Sequence, residues 1–295
     1  MPKISNPDNS NLTAPVLAGP ILAGVVGVPV DHSLSPLIHT IWAHRAGVNG
    51  YYIPLAVPPY YDDFAKAMDS LRVIGFKGVN VTLPHKEHAL RYAATASPDA
   101  TKAGAANMLT FGEDGPHADN SDIEGFANAV MGALGERAAP RSALILGAGG
   151  AARGIVLALK KTGVVDLKIT NRTREKAERL GAAFGMTTLD WSARSDAVAS
   201  VDIVVNTTSL GMSGQPPLEI DLSSLHKNTM VADIVYTPLE TPLLKAAQER
   251  GALTINGLDM LMHQAVPGFN AWFDDQAHVN KALRDELVAE LKKRG

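Results

Sequence analysis

The chain of 295 residues contains no cysteine. That absence excludes a disulfide framework, thiolate metal sites and a cysteine nucleophile together, and it suits a reducing cytoplasm. Aromatic residues are scarce, at 5%. No segment reaches 18 consecutive apolar residues, and the opening MPKISNPDNSNLTAP has no apolar stretch of the signal-peptide kind. The reading is a soluble protein with a frayed polar tail and no membrane partner. A dominant charge is lacking too: 27 basic residues stand against 30 acidic ones, for a net charge of -3. Nothing recommends a nucleic-acid partner, and any anion recognition must be local.

What is present is the balance of a globular protein, 46% apolar and 19% charged, with enough length for two domains. From Leu22 short β-rich runs alternate with amphipathic stretches, and the periodicity predicts strands at ILAGVVGV, YYIPL, FKGVNV and ANMLTF, with another before DNSD. Helices are expected between them. Ser35 before Pro36 predicts a capped helix start, and Ser121 with Glu124 has capping-box spacing. After ERAAPR, a candidate seam, the runs SALIL, VDLKIT, DIVVNTT, MVADIV and ALTIN alternate with helical segments, as in a doubly wound parallel sheet. The closing stretches GLDMLMHQAVPGFNAWF and HVNKALRDELVAELKK follow a sheet that should be complete, so they are expected to fold back onto the first domain. The fold class is α/β, an N-terminal α/β domain plus a doubly wound Rossmann-type domain with a cleft between them. The expected division is residues 1–121, with 258–295 packed back on them, and residues 122–257.

The sharpest local signal is GAGGAARG directly after a predicted strand and opening a helix. Gly147 can make the tight turn, Gly149 lets the backbone approach a pyrophosphate, and Ala152 takes the third small position, with Ala148, Gly150 and Ala151 completing the loop. The bland alternative is a turn needed only for helix packing. An NAD-selective site would carry an acid about 20 residues on, to hold the ribose hydroxyls. Here the chain reads Asn171-Arg172-Thr173, which removes that repulsion and offers a planar cation, so the expected cofactor is NADP. Lys176 reads as a solvated helix face. Arg153 either reaches a phosphate or faces water.

Several further motifs occur in order: GVPVDHSLSPLIH, GVNVTLPHKE, GAAN and DNSD in the first half, then NRTREK, NTTSLGM, DIVYTPLETPLL and GLDMLMHQA. Together with GAGGAARG they resemble the shikimate dehydrogenase family across nearly the whole chain, from Gly24 to Gln264. The resemblance implies a substrate domain in front, a cofactor domain behind, and a small carboxylated cyclic polyol in the cleft. By position it implies that Ser33 and Ser35 hold the substrate carboxylate, while Asn80, Thr82, Asn107 and Gln264 hold ring hydroxyls. Lys86 and Asp122 would flank the reacting oxygen, Tyr236 would come from the far wall, and Gly257 would join Asn171, Arg172 and Thr173 at the cofactor. A monomer or homodimer is expected, with no metal.

The residues themselves support part of this. If Pro84 is the first helical residue, Lys86 lies in the first turn, where the helix dipole disfavours a cation, so helix stability does not explain it. An amine there could donate to a ketone oxygen gaining charge during hydride transfer, as proton donor or as electrostatic stabiliser, with Asp122 orienting it. The rival readings are structural: Ser35 a cap, Asp122 a first-turn acid, Asn107 a turn residue, and His85 and His88 structural or exposed. Two departures stand out. The family usually has Gly where this chain has Ile123, and Asn where it has Thr40, so a stiffer hinge or tighter pocket is expected. The competing functions are a quinate/shikimate dehydrogenase, which more often takes NAD, and a non-catalytic NADPH sensor on the same fold.

Overall fold

The computed structural model describes residues 19–294, so the polar opening stretch lies outside the described residues. Two six-stranded sheets organise the described residues. The first is built from β1 (Ile21–Gly27), β2 (Gly50–Ala56), β3 (Phe76–Val81), β4 (Thr95–Ala96), β5 (Met108–Gly112) and β6 (Gly115–Asp119). Its order is β2-β1-β3-β5-β6-β4, with β1, β2 and β3 parallel and β5 antiparallel to both its neighbours. The connecting helices are α1 (Ser35–Ala46), α2 (Tyr61–Val73), α3 (Lys86–Tyr92) and α4 (Pro98–Ala103), and α5 (Ser121–Leu134) leads out.

The second sheet holds β7 (Ser142–Leu146), β8 (Asp166–Thr170), β9 (Thr187–Leu189), β10 (Ile203–Asn206), β11 (Met230–Asp233) and β12 (Leu253–Ile255). All six are parallel, in the order β12-β11-β10-β7-β8-β9. The strand order reverses between β7 and β10, and ligands of such sheets bind in the crevice beyond the carboxyl ends of the strands at that point. The helices α6 (Gly150–Lys161), α7 (Arg174–Phe184), α8 (Arg194–Ala197) and α9 (Pro242–Gln248) cover the two faces. Alternation along β7 sends Ala143 and Ile145 into one core with α5, α6 and α7, and Leu144 and Leu146 into the opposite one.

The closing helices α10 (Gly257–Trp272) and α11 (Lys281–Arg294) leave the second sheet and return to the first, packing with α1 around Trp42, Phe269, Trp272 and Phe273. Each such side chain, taken fully out of water, contributes on the order of 2 kcal/mol. Helix α5 faces the other way. Its Ile123, Phe126, Val130 and Leu134 belong to the core of the second sheet, although its first turn touches the first. Among the described residues no helix is long and apolar enough to cross a membrane.

Three expected helix starts are shifted. Leu34, not Ser35, caps α1, and Ser35 is its first residue, with Ser33 Oγ accepting from the Ser35 amide at 3.2 Å. Asn120 caps α5, so Ser121 and Glu124 form no capping box; Ser121 turns inward to Asn107 instead. Helix α3 begins at Lys86, because Pro84 sits in a turn closed by the His85 amide donating to the Thr82 carbonyl. Lys86 still occupies the first turn. The periodicity also gives no warning of β4, α4, β9, α8 or α9, elements of 2 to 7 residues, too short to display a period.

Candidate active site

A cavity of about 160 Å³ opens where β1, β3 and the first turns of α1, α3 and α5 meet α10. The structure brings all nine expected catalytic and substrate positions to it. Ser33 and Ser35 come from the start of α1, Asn80 and Thr82 from the end of β3, and Lys86 from α3. Asn107, Asp122, Tyr236 and Gln264 complete the set from four further segments. His32 also lines the cavity, a residue that no sequence expectation singles out, although it adjoins Ser33 in the same loop.

Lys86 Nζ donates to Asp122 Oδ2 at 2.5 Å. Asp122 is 6% exposed, and its second oxygen accepts from Asn107 Nδ2 at 2.7 Å, so the carboxylate is held at both ends in a site that burial largely closes to water. The Asn107 side-chain oxygen Oδ1 is engaged as well, accepting from the Ser121 backbone amide at 2.7 Å. Tyr52, absent from the sequence expectations, donates to Asn80 Oδ1 at 2.7 Å, and Asn80 Nδ2 donates to the Asn107 main-chain carbonyl at 3.3 Å. Its inward position follows from strand alternation between exposed Tyr51 and Ile53. Burial raises the Tyr236 phenol above its ordinary range, so it faces the cavity as a neutral hydroxyl.

His39 supports this wall from behind. It is fully buried, its Nδ1 donates to the Ser35 carbonyl at 2.9 Å, and its ring stacks on Tyr52 with centroids 3.8 Å apart. Burial lowers its pKa to about 3, so the ring is neutral. Ile123 contradicts the expectation of a tighter pocket. It does not line the cavity but lies wholly inside the core shared by α5 and α6. His85 is likewise structural: it is buried, and its Nε2 lies 3.0 Å from the Val57 carbonyl. Among the described residues no group of three or more His, Asp or Glu side chains is placed to hold a metal ion.

A second cavity, about 440 Å³, lies between the domains, and Lys86 lines it too. Ala148, Gly149 and Gly150 form its floor at the amino end of α6. Gly147 has φ 110°, and an added Cβ would lie 2.7 Å from Thr208 and 2.8 Å from Thr207, so only glycine fits there. Gly149 and Gly150 have open space at the same point. Free amides above open space fit the phosphates of a dinucleotide. Asn171 braces the loop: its Oδ1 accepts from the Ala148 amide at 3.0 Å and its Nδ2 donates to the Thr173 carbonyl at 2.8 Å.

The remaining expected cofactor residues are placed differently. Ala151, Asn171, Arg172 and Thr173 stand beside this cavity without lining it, whereas Arg153, Lys176 and Arg179 do line it. Lys176 is exposed, as expected of a solvated helix residue, and also borders the cavity. Gly257 lines neither cavity; a Cβ there would come within 2.2 Å of the Ile234 carbonyl, so close packing of α10 on the segment after β11 explains it. Asp233, at the end of β11, accepts from Asn206 Nδ2 at 3.0 Å, the Val235 amide at 3.0 Å and Thr241 Oγ1 at 2.8 Å, tying the loops on that side together. Burial raises its pKa to about 6.

Comparison with known proteins agrees with this geometry. Residues 25–109 match the model of the shikimate dehydrogenase substrate binding domain, and residues 131–213 that of shikimate / quinate 5-dehydrogenase. The shikimate dehydrogenase (NADP(+)) of Acidiphilium cryptum is 49% identical over 92% of this chain and 96% of its own. Among solved structures, shikimate 5-dehydrogenase from Thermus thermophilus, in complex with NADP(H) and shikimate, superposes with a TM-score of 0.81 at 29% identity. The match covers 92% of this chain and 99% of that one. Quinate dehydrogenase from Corynebacterium glutamicum, in complex with NAD, gives 0.84 at 30% identity over the same shares, 92% and 99%. An identity of 49% across both domains decides the matter, and the chain belongs to the shikimate dehydrogenase family.

Proposed function

We propose that the chain is an NADP-dependent shikimate dehydrogenase, interconverting 3-dehydroshikimate and shikimate in the cytoplasm on the route to chorismate and the aromatic amino acids. The observation that carries this reading is the position of Lys86, which lines both cavities while paired with Asp122. A proton-transfer group therefore stands where a small polar substrate meets a dinucleotide. When bound, NADPH supplies the hydride for reduction.

In that reading Ser33 and Ser35 receive the substrate carboxylate, Asn80, Thr82 and Gln264 hold ring hydroxyls, and Tyr236 closes the far wall. As negative charge gathers on the ketone oxygen, Lys86 Nζ donates a proton to it, and Asp122 keeps the amine aimed. In the reverse direction Nζ takes the proton back. Gly147 to Ala151 cradle the pyrophosphate, with Asn171, Arg172 and Thr173 bordering the adenosine phosphate. We place the domain division at residues 121 and 122, with 258–295 returning to the substrate domain. A nucleotide sensor would need the second cavity but not Lys86 and Asp122.

The test is the absorbance of NADPH on mixing purified protein with NADP+ and shikimate, beside NAD+ and quinate. Rapid reduction with the first pair alone is expected. Faster turnover with NAD+ and quinate, or none with any combination, overturns the proposal.

A further inference from the structure

In the motif NRTREK, Arg172 and Arg174 do not line the second cavity, and the cations that line it lie partly beyond the motif. They are Arg153 from α6 and Lys176 and Arg179 from α7, besides Lys86, which is occupied with Asp122. Among the described residues none of those three stands in an ion pair, whereas their neighbour Arg174 is bound to both Glu178 and Asp190. Glu87 is the one acid lining the cavity. Three cations against one acid leave a surplus of two, before the partial positive charge of the α6 amino end is added. Like charges facing one space without partners repel one another, and a bound anion removes the repulsion.

The cations divide by position. Arg153 lies in the first turn of α6, beside Gly149 and Gly150, where a pyrophosphate sits in this class of sheet. Lys176 and Arg179 are three residues apart on α7 and so share one of its faces, with Leu180. Helix α7 starts directly after β8 and the turn that borders the ribose 2′ position in such folds. A pyrophosphate can engage Arg153 and the α6 amides but leaves the α7 pair without a partner. A 2′-phosphate adds up to two negative charges and three acceptor oxygens at the α7 side.

We infer that Arg179, acting with Lys176, is a specificity-determining residue for the 2′-phosphate of the cofactor, while Arg153 serves the pyrophosphate. The inference rests on the NADP reading above and extends it to a residue outside the sequence motif. The fork of an arginine suits phosphate oxygens, and its loss removes a charge-assisted hydrogen bond.

Calorimetry with two fragments tests it without turnover: 2′,5′-ADP, which carries the 2′-phosphate and no pyrophosphate, and ADP, which carries the pyrophosphate and no 2′-phosphate. R179A is expected to weaken 2′,5′-ADP by about tenfold and ADP by less than about twofold, with R179K restoring part of the loss. R153A is expected to weaken ADP at least as much as 2′,5′-ADP. Equal weakening of both fragments by R179A, or no weakening of either, overturns the assignment of Arg179 while leaving the cofactor reading intact. A wild-type protein that binds 2′,5′-ADP no more tightly than AMP, which differs from it by the 2′-phosphate alone, overturns the NADP reading itself, and this inference with it.

Discussion

Asn107 and Asp122 are joined by a hydrogen bond of 2.7 Å, and the other end of the Asn107 amide is held by the Ser121 backbone at 2.7 Å. The family resemblance implies a ring hydroxyl for Asn107 to hold. Its amide is already committed to Ser121 and Asp122, an arrangement suited to fixing the carboxylate beside Lys86. Asn107→Ala is expected to lower kcat by about tenfold to a hundredfold, the cost of a loosened catalytic geometry, with the KM for shikimate changing by less than about threefold. Steady-state kinetics decides: a raised KM at unchanged kcat restores Asn107 to the role of substrate contact.

Lys86→Met removes the amine while keeping much of its length. Turnover is expected to fall by about a hundredfold to ten-thousandfold, the range that a positioned proton donor contributes. Binding of NADP+ by calorimetry should stay within about twofold, since Lys86 is paired with Asp122 rather than committed to phosphate. A variant that turns over normally would remove Lys86 from the chemistry.

Ile123 lies beside Asp122 in sequence but apart from it in function. Its side chain has no exposure and packs into the core of the second sheet. Ile123→Ala is therefore expected to cost about 2–4 kcal/mol of stability in urea unfolding, with the ratio of shikimate to quinate turnover unchanged. A change in that ratio without a change in stability would return Ile123 to the pocket wall.

Two buried groups give opposite pH dependences. His39 has its pKa lowered to about 3 by burial, so the unfolded chain binds the proton more readily. Its contribution is present above pH 6.5 and lost as pH falls towards 3. Relative to His39→Phe, the wild type should lose about 2 kcal/mol between pH 7 and pH 5. Asp233 has its pKa raised to about 6, so the folded chain holds the proton more tightly, and its contribution is present below pH 3.8 and lost as pH rises through 6. Relative to Asp233→Asn, the wild type should lose about 2 kcal/mol between pH 4 and pH 6. Urea unfolding across pH, with slopes of the same sign for both pairs, would contradict these assignments.

All strands but the short β4 and β9 are legible in the sequence because their apolar runs are bounded by turns, and the polar residues of the first cavity because they lie in motifs at element ends. Ile123 misleads because sequence adjacency to Asp122 says nothing about facing: consecutive helix residues point about 100° apart, one into the cavity and one into the core. Tyr52 and His39 give no sequence signal because their roles depend on a stacking contact between a helix and a strand. Lys176 and Arg179 are hidden for a related reason. On a polar helix, the side that meets a cavity is chosen by the neighbouring domain, and five of the first six residues of α7 are charged.

Helix α5 carries Asp122 in its first turn, yet its body is anchored in the core of the second sheet, while Lys86 rides on a helix of the first. Asp122 is therefore a joint: Asn107, beside the first sheet, holds one oxygen of its carboxylate, and the helix that carries it is rooted in the other core. A substitution deep in that second core, far from both cavities, that shifts α5 along its axis would be felt at Lys86 as a change of aim.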